Sequence, residues 1–218
     1  MQRRSLTRWL AGAVIAFGLL WAGIDLWAPR STDIRSFDPD EVARLDAAMW
    51  RSYYDRQRLR LFGQLAELLR NQYHLTPLKS HLAAYDAAKA AFMFKGGSSR
   101  VEYARALPNL VRFYAAIRRG SNVPFDVDRA ARLELEWWIV HRERSPQAPD
   151  NLARALAELQ AEIYRVPVEQ LAEHARLRAE AMTIRDEKAL SGDLAEEDWK
   201  QIEEGLLASW KALSRAVN

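Results

Sequence analysis

Glu134, Trp138 and His141 lie in one segment of this 218-residue chain, at spacings of four and three. Residues seven apart share a helix face two turns apart, so a carboxylate and an imidazole would be presented together. Buried side by side, such groups can exchange a proton or ligate a metal. The competing reading is a core polar pair, because a buried Glu needs a partner to offset its desolvation, and an Arg or His from another helix commonly provides one. Glu173, His174, Arg176, Arg178 and Glu180 offer such partners; Glu173, Arg176 and Glu180 share one face, His174 and Arg178 another. Glu134, His141 and His174 are therefore the candidates for chemistry, and the core-pair reading is the stronger one.

Motifs for other chemistry are missing. A ferritin-like di-iron site needs Glu-x-x-His on two helices, yet Asn71, Leu78, Trp138 and Leu171 stand three residues before the four histidines. The chain has no cysteine, no His-Glu-x-x-His, and no phosphate loop, since Gly96-Gly97 is not followed by Lys-Ser/Thr. No cofactor or metal is expected on these grounds, a b-type haem on one histidine being the alternative the motifs leave open. The 32 basic residues barely exceed the 29 acidic ones and form no block, which argues against a nucleic-acid partner. Trp50, Arg51, Tyr54 and Arg58 make a second constellation, of the residue types that dominate protein interfaces. The plainer reading turns the aromatics inward and leaves the arginines solvated or paired, Arg51 with Asp55 for instance.

The elements that must position these groups are helices. No window alternates apolar and polar residues with β-branched enrichment. Asp38-Pro39-Asp40-Glu41 starts a helix whose apolar spacing continues to Tyr73, which predicts one helix of more than thirty residues, bent at Gly63. Thr76-Pro77 starts a second, running through Leu82, Tyr85, Lys89 and Phe92 to Gly96-Gly97. Ser99-Arg100-Val101-Glu102 caps a third, kinked or broken at Pro108. Asp126 caps a fourth, ended by Ser145-Pro146; hydrophobic on all sides, it should occupy the centre of the bundle. A fifth starts at Asp150, a sixth near Val166-Pro167, and the last runs from Leu194 to Ala216, with Trp199 and Trp210 on one core-facing side. The expected fold is all-α: a single N-terminal transmembrane helix followed by an antiparallel bundle of about seven helices.

The transmembrane helix is read from residues 9–28, where Asp25 is the one charge between Trp9 and Trp27 and Trp9, Trp21 and Trp27 suit interfacial positions. About 19 helical residues reach about 28 Å, close to the hydrocarbon thickness of a bilayer. The run exceeds a signal-peptide core and offers poor cleavage sites, so retention is expected. Asp25 falls near its outer end, where snorkelling would make it tolerable. Arg3, Arg4 and Arg8 place residues 1–8 in the cytoplasm, with residues 29–37 as a linker and 38–218 as a periplasmic or extracellular helical domain. The function this combination favours is that of a membrane-anchored accessory or scaffold protein, a non-catalytic subunit that docks on or stabilises a larger membrane complex, such as an energy-transducing one. The alternatives are an anchored enzyme or redox protein using Glu134 and His141, and a ligand-binding or sensing domain.

Overall fold

The computed structural model describes residues 2–28, 30–143, 150–192 and 194–218, with the side chains of 2–8, 10, 11, 189 and 191 outside the description. Ten α-helices account for most of it: α1 Gln2–Trp27, α2 Pro39–Tyr54, α3 Arg58–Tyr73, α4 Pro77–Gly96, α5 Arg100–Tyr103, α6 Leu107–Gly120, α7 Val127–Arg142, α8 Asp150–Tyr164, α9 Ala172–Ser191 and α10 Glu196–Val217. Among the described residues there is no strand, only an isolated bridge between Thr32 and Ser121. Short connections fold each long helix back beside its predecessor. Eight of them close a ring, in which α2, α3, α4, α6, α7, α8, α9 and α10 each pack on the next and α10 returns to α2.

Several starts obey local chemistry. The Asp38 carboxylate accepts from the backbone amides of Asp40 and Glu41, with Pro39 in the first helical position. Asp126 caps α7 through Arg129 N, and Ser99 caps α5 through Glu102 N. Pro108 breaks the third predicted helix as expected, leaving the single turn α5, a 3₁₀ turn at Ala104–Ala106, and α6. The expected stop at Ser145-Pro146 lies outside the described residues.

Other expectations are corrected. The long helix from Pro39 to Tyr73 is two helices, and the break is at Asp55 to Gln57 rather than Gly63, because Arg56 adopts a left-handed backbone (φ 59°). This split and the single-turn α5 raise the number of helices after α1 above the expected seven. Helix α7 is not central: it packs chiefly on α6 and α8 like any other stave of the ring, and only Ala130, Ala131, Leu135 and Ile139 along it are buried. Helix α4 is inside out relative to its apolar spacing. Leu82 and Phe92 are 57% and 79% exposed, while the face it turns inward carries Ser80, Ala83, Ala84 and Ala90. Those small side chains leave room inside the ring for rings and guanidinium groups from opposite helices.

One end of the ring is plugged. Ile34 and Phe37, from the segment before α2, are buried there, with the Phe37 ring 6.2 Å from Tyr164 and 5.9 Å from Trp210. The Arg35 guanidinium donates to Tyr164 O at 2.8 Å, and Thr32 N donates to Gly120 O. At the same end α1 meets the start of α4. Asp25 is buried, and its Oδ2 accepts from Thr76 Oγ1 at 2.8 Å and from Leu78 N at 2.9 Å. Thr76 makes no side-chain cap of its own, so α4 is capped by a carboxylate fifty-one residues earlier in the chain. Asp25 therefore does not snorkel; it is a structural joint.

Among the described residues no helix is long and apolar enough to cross a membrane. The run that begins at Trp9 passes through Leu10 and Ala11, whose side chains are outside the description. From Gly12 to Trp21 every residue of α1 is exposed, Val14, Phe17 and Leu19 at about 70%. Among the described side chains of α1, Asp25 alone is buried.

Candidate functional site

The interior of the ring is polar as well as aromatic, and each polar group is supplied by a helix whose apolar stripe it interrupts. Asp46 on α2 is 2% exposed; it accepts from Arg178 Nη1 of α9 at 2.5 Å and from Trp210 Nε1 of α10 at 2.8 Å. Gln72 of α3 donates to the hydroxyl of Tyr164 of α8 at 3.1 Å, a tie between helices on opposite sides of the ring. Glu134 accepts from Tyr114 Oη of α6 at 2.7 Å and from Trp138 Nε1 at 2.9 Å. Burial raises the Glu134 carboxyl above its ordinary range, and the hydrogen bonds from Tyr114 and the tryptophans, with the nearby Arg178 charge, oppose that rise. The same burial holds the Tyr73 and Tyr114 hydroxyls well above the usual phenol range.

Glu134 and His141 share a helix but not a hydrogen-bond network. His141 Nε2 lies 3.0 Å from Asp186 Oδ2 of α9, so this pair joins α7 to α9 at the end of the ring opposite the plug. An imidazole donating from Nε2 to a carboxylate is held in one orientation with Nδ1 left as an acceptor. His174 is elsewhere, wedged between α9 and α10: Nδ1 is 2.9 Å from both Ser209 O and Ser209 Oγ, and Nε2 is buried without a partner. Burial pushes its pKa down to about 4, helped by the Arg178 charge, so it is a neutral core histidine near neutrality. The three candidates thus occupy three separate environments.

The aromatic and arginine constellation is divided too. Arg51 pairs not with Asp55 but with Glu196 and Glu203 of α10, at 3.1 and 3.0 Å, and stacks over Trp199. Arg58 is exposed at the start of α3. Trp50 and Tyr54 turn instead toward a cavity of about 490 Å³ that His141 also lines. Its walls come from five helices: Met49, Trp50, Tyr53 and Tyr54 on α2, Leu61 on α3, Phe94 and Lys95 on α4, Trp137, Trp138, His141 and Arg142 on α7, and Arg178, Met182 and Asp186 on α9. Two groups that sequence reading assigned to separate hypotheses therefore meet in one place. Burial pushes the Tyr54 hydroxyl up to about 12 despite the Arg185 guanidinium 3.2 Å above its ring.

A larger hollow of about 700 Å³ runs between α2 and α10. Its wall consists chiefly of charged groups, of which Arg51 and Glu203 are already paired across it. The aromatic cavity is the better candidate, because an apolar lining with a few placed polar groups is the usual composition of a ligand site.

Sequence reading missed Asp46, Glu162 and Asp186, and gave Asp25 a snorkelling role in place of the joint it makes. Glu162 is buried at 5% exposure, accepts from Asp126 N and pairs with Arg129 and Arg165. An acidic residue at a helix position otherwise surrounded by buried ones was the available signal for Asp46, which follows Leu45 and precedes Ala47. Among the described residues no group of three or more His, Asp or Glu side chains is placed to hold a metal. Comparison with known proteins returns no match: no family model, no curated protein and no solved structure matches the chain.

Proposed function

We propose that this protein is a membrane-anchored accessory module, non-catalytic, that docks beside and stabilises a larger membrane complex, with α1 inserted in lipid and the helical ring on the outer side. What carries the reading is the joint at Asp25: an exposed apolar helix is fastened to the start of α4, whose outward face is itself apolar. From Leu82 to Phe92 that face extends about 15 Å along the helix, with Tyr85 exposed between them and Lys89 on the same side. A partner suited to it presents an apolar helix face rimmed by acidic residues, close to the membrane. Monomeric soluble domains seldom leave large apolar side chains aligned on one helix without a partner.

Detergent extraction followed by affinity purification of the full chain tests this. Co-purification of a membrane protein, reduced at least tenfold by Leu82→Asp with Phe92→Asp while the melting temperature is kept, is the expected outcome; a lone monomer, or recovery in the soluble fraction, sinks the proposal. Orientation is read separately. The chain has no cysteine, and Glu197 is 81% exposed, so Glu197→Cys should react with a membrane-impermeant thiol reagent in intact cells. Reaction only after lysis reverses the assignment.

A further inference from the structure

We infer that the aromatic cavity at the open end of the ring is a binding site for a small organic anion with a flat aromatic body. Three observations converge. The volume, about 490 Å³, lies within the range typical of small-molecule sites. Six aromatic residues, Trp50, Tyr53, Tyr54, Phe94, Trp137 and Trp138, line the wall, a lining that suits a planar aromatic body. The charges that line it do not cancel.

Asp186 is engaged by His141 and Arg185, and Arg178 is neutralised by Asp46. Lys95 and Arg142 remain, and among the described residues neither has a carboxylate partner. Arg142 is held in place: Nη1 donates to Phe94 O at 2.9 Å and Gly97 O at 3.1 Å, and its Cζ lies 4.0 Å from the centre of the Phe94 ring. That geometry sets a fixed cation at the rim beside Lys95, and a carboxylate, sulfonate or phosphate on the ligand would meet both. An organic cation, the usual guest of an aromatic cage, would be repelled by the same pair.

The ligand would come from water rather than from the bilayer. The cavity lies at the C-terminal ends of α2, α4 and α7, whereas α1 joins the bundle at the N-terminal end of α4. The 20 residues of α4 separate the two ends by about 30 Å.

The test is calorimetric titration of the full chain in lipid nanodiscs with 2-naphthoate, against empty nanodiscs, with tryptophan fluorescence followed in parallel. Saturable one-to-one binding with tryptophan quenching is expected. Lys95→Glu with Arg142→Glu, both exposed, should weaken it at least tenfold with the melting temperature followed in parallel, and Ala91→Trp, at a position that also lines the cavity, should block it. Naphthylmethylammonium should show no saturable binding, and oleate, an anion without a ring, should bind more weakly than 2-naphthoate. Absence of saturable naphthoate binding, indifference to the double charge reversal, equal binding of the cation, or tighter binding of oleate each overturns the inference. Because the charge-reversal pair lies on the surface, it decides the matter even if Ala91→Trp does not fold.

Discussion

His174 shows how far a residue can sit from the chemistry its type suggests. With Nδ1 hydrogen-bonded to Ser209 and Nε2 enclosed, protonation must place a charge where there is no solvent and where Arg178 is already positive. Its folded pKa of about 4 lies below the unfolded value of 6.5, so the unfolded chain takes up the proton first. Stability from this residue is complete above pH 6.5 and is lost as pH falls toward 4, by roughly 3 kcal/mol in all. Denaturation from pH 7 to 4 should therefore show a steeper loss in the wild-type chain than in His174→Leu, and parallel curves would contradict this. Asp46 is the opposite case, a charge that is buried because it is partnered. Asp46→Asn leaves the Arg178 guanidinium without its counter-charge, and a loss of about 3–5 kcal/mol in urea denaturation is expected. Arg178→Met with Asp46→Leu should recover much of it, since replacing both partners removes the unpaired charge.

At the scale of the element, the sequence was most legible where a signal is local. Proline and Asp starts at α2, the Ser99 side-chain cap at α5, the Asp126 cap and the Pro108 break all appear where their backbone chemistry demands, although the Glu102 carboxylate accepts from Ser98 rather than closing the box on Ser99. Arg56 was not legible, because a left-handed arginine has no signature comparable to glycine, and Gly63 sits in an unbroken helix. Periodicity gave α4 its stripe but not the side on which the stripe would lie. Leu82, Tyr85 and Phe92 recur at helical spacing whether they face a core or a partner, and the alanines opposite were the discriminating residues. The joint between α1 and α4 yields a third prediction. Asp25→Ala removes the cap from Leu78 N and the acceptor from Thr76, which costs about 1 kcal/mol. The visible consequence should be faster proteolysis in residues 28–33 with little change in the melting of the ring; unchanged proteolysis would mean that Asp25 does not hold α1.

For the molecule as a whole, the helical class was clear from composition and punctuation, while ring closure was not. Closure depends on α10 packing between α9 and α2, a contact between residues more than 150 positions apart, such as Arg51 with Glu203 and Asp46 with Trp210. The same holds for the site. Trp50, Tyr54 and His141 were each visible as unusual, but only the ring brings α2 and α7 to opposite walls of one cavity. Closure also brings the two ends of the domain together: Asn218 Nδ2 donates to the backbone carbonyl of Arg35 at 3.2 Å. The order in which the staves are threaded is then arbitrary with respect to the barrel they build. A short bridge from Asn218 to Arg35, with the chain reopened at the exposed Ser98, would keep α2 to α10 side by side while removing α1 together with the Thr32 and Ile34 contacts, so that what the barrel does alone and what it does only when tethered could be told apart.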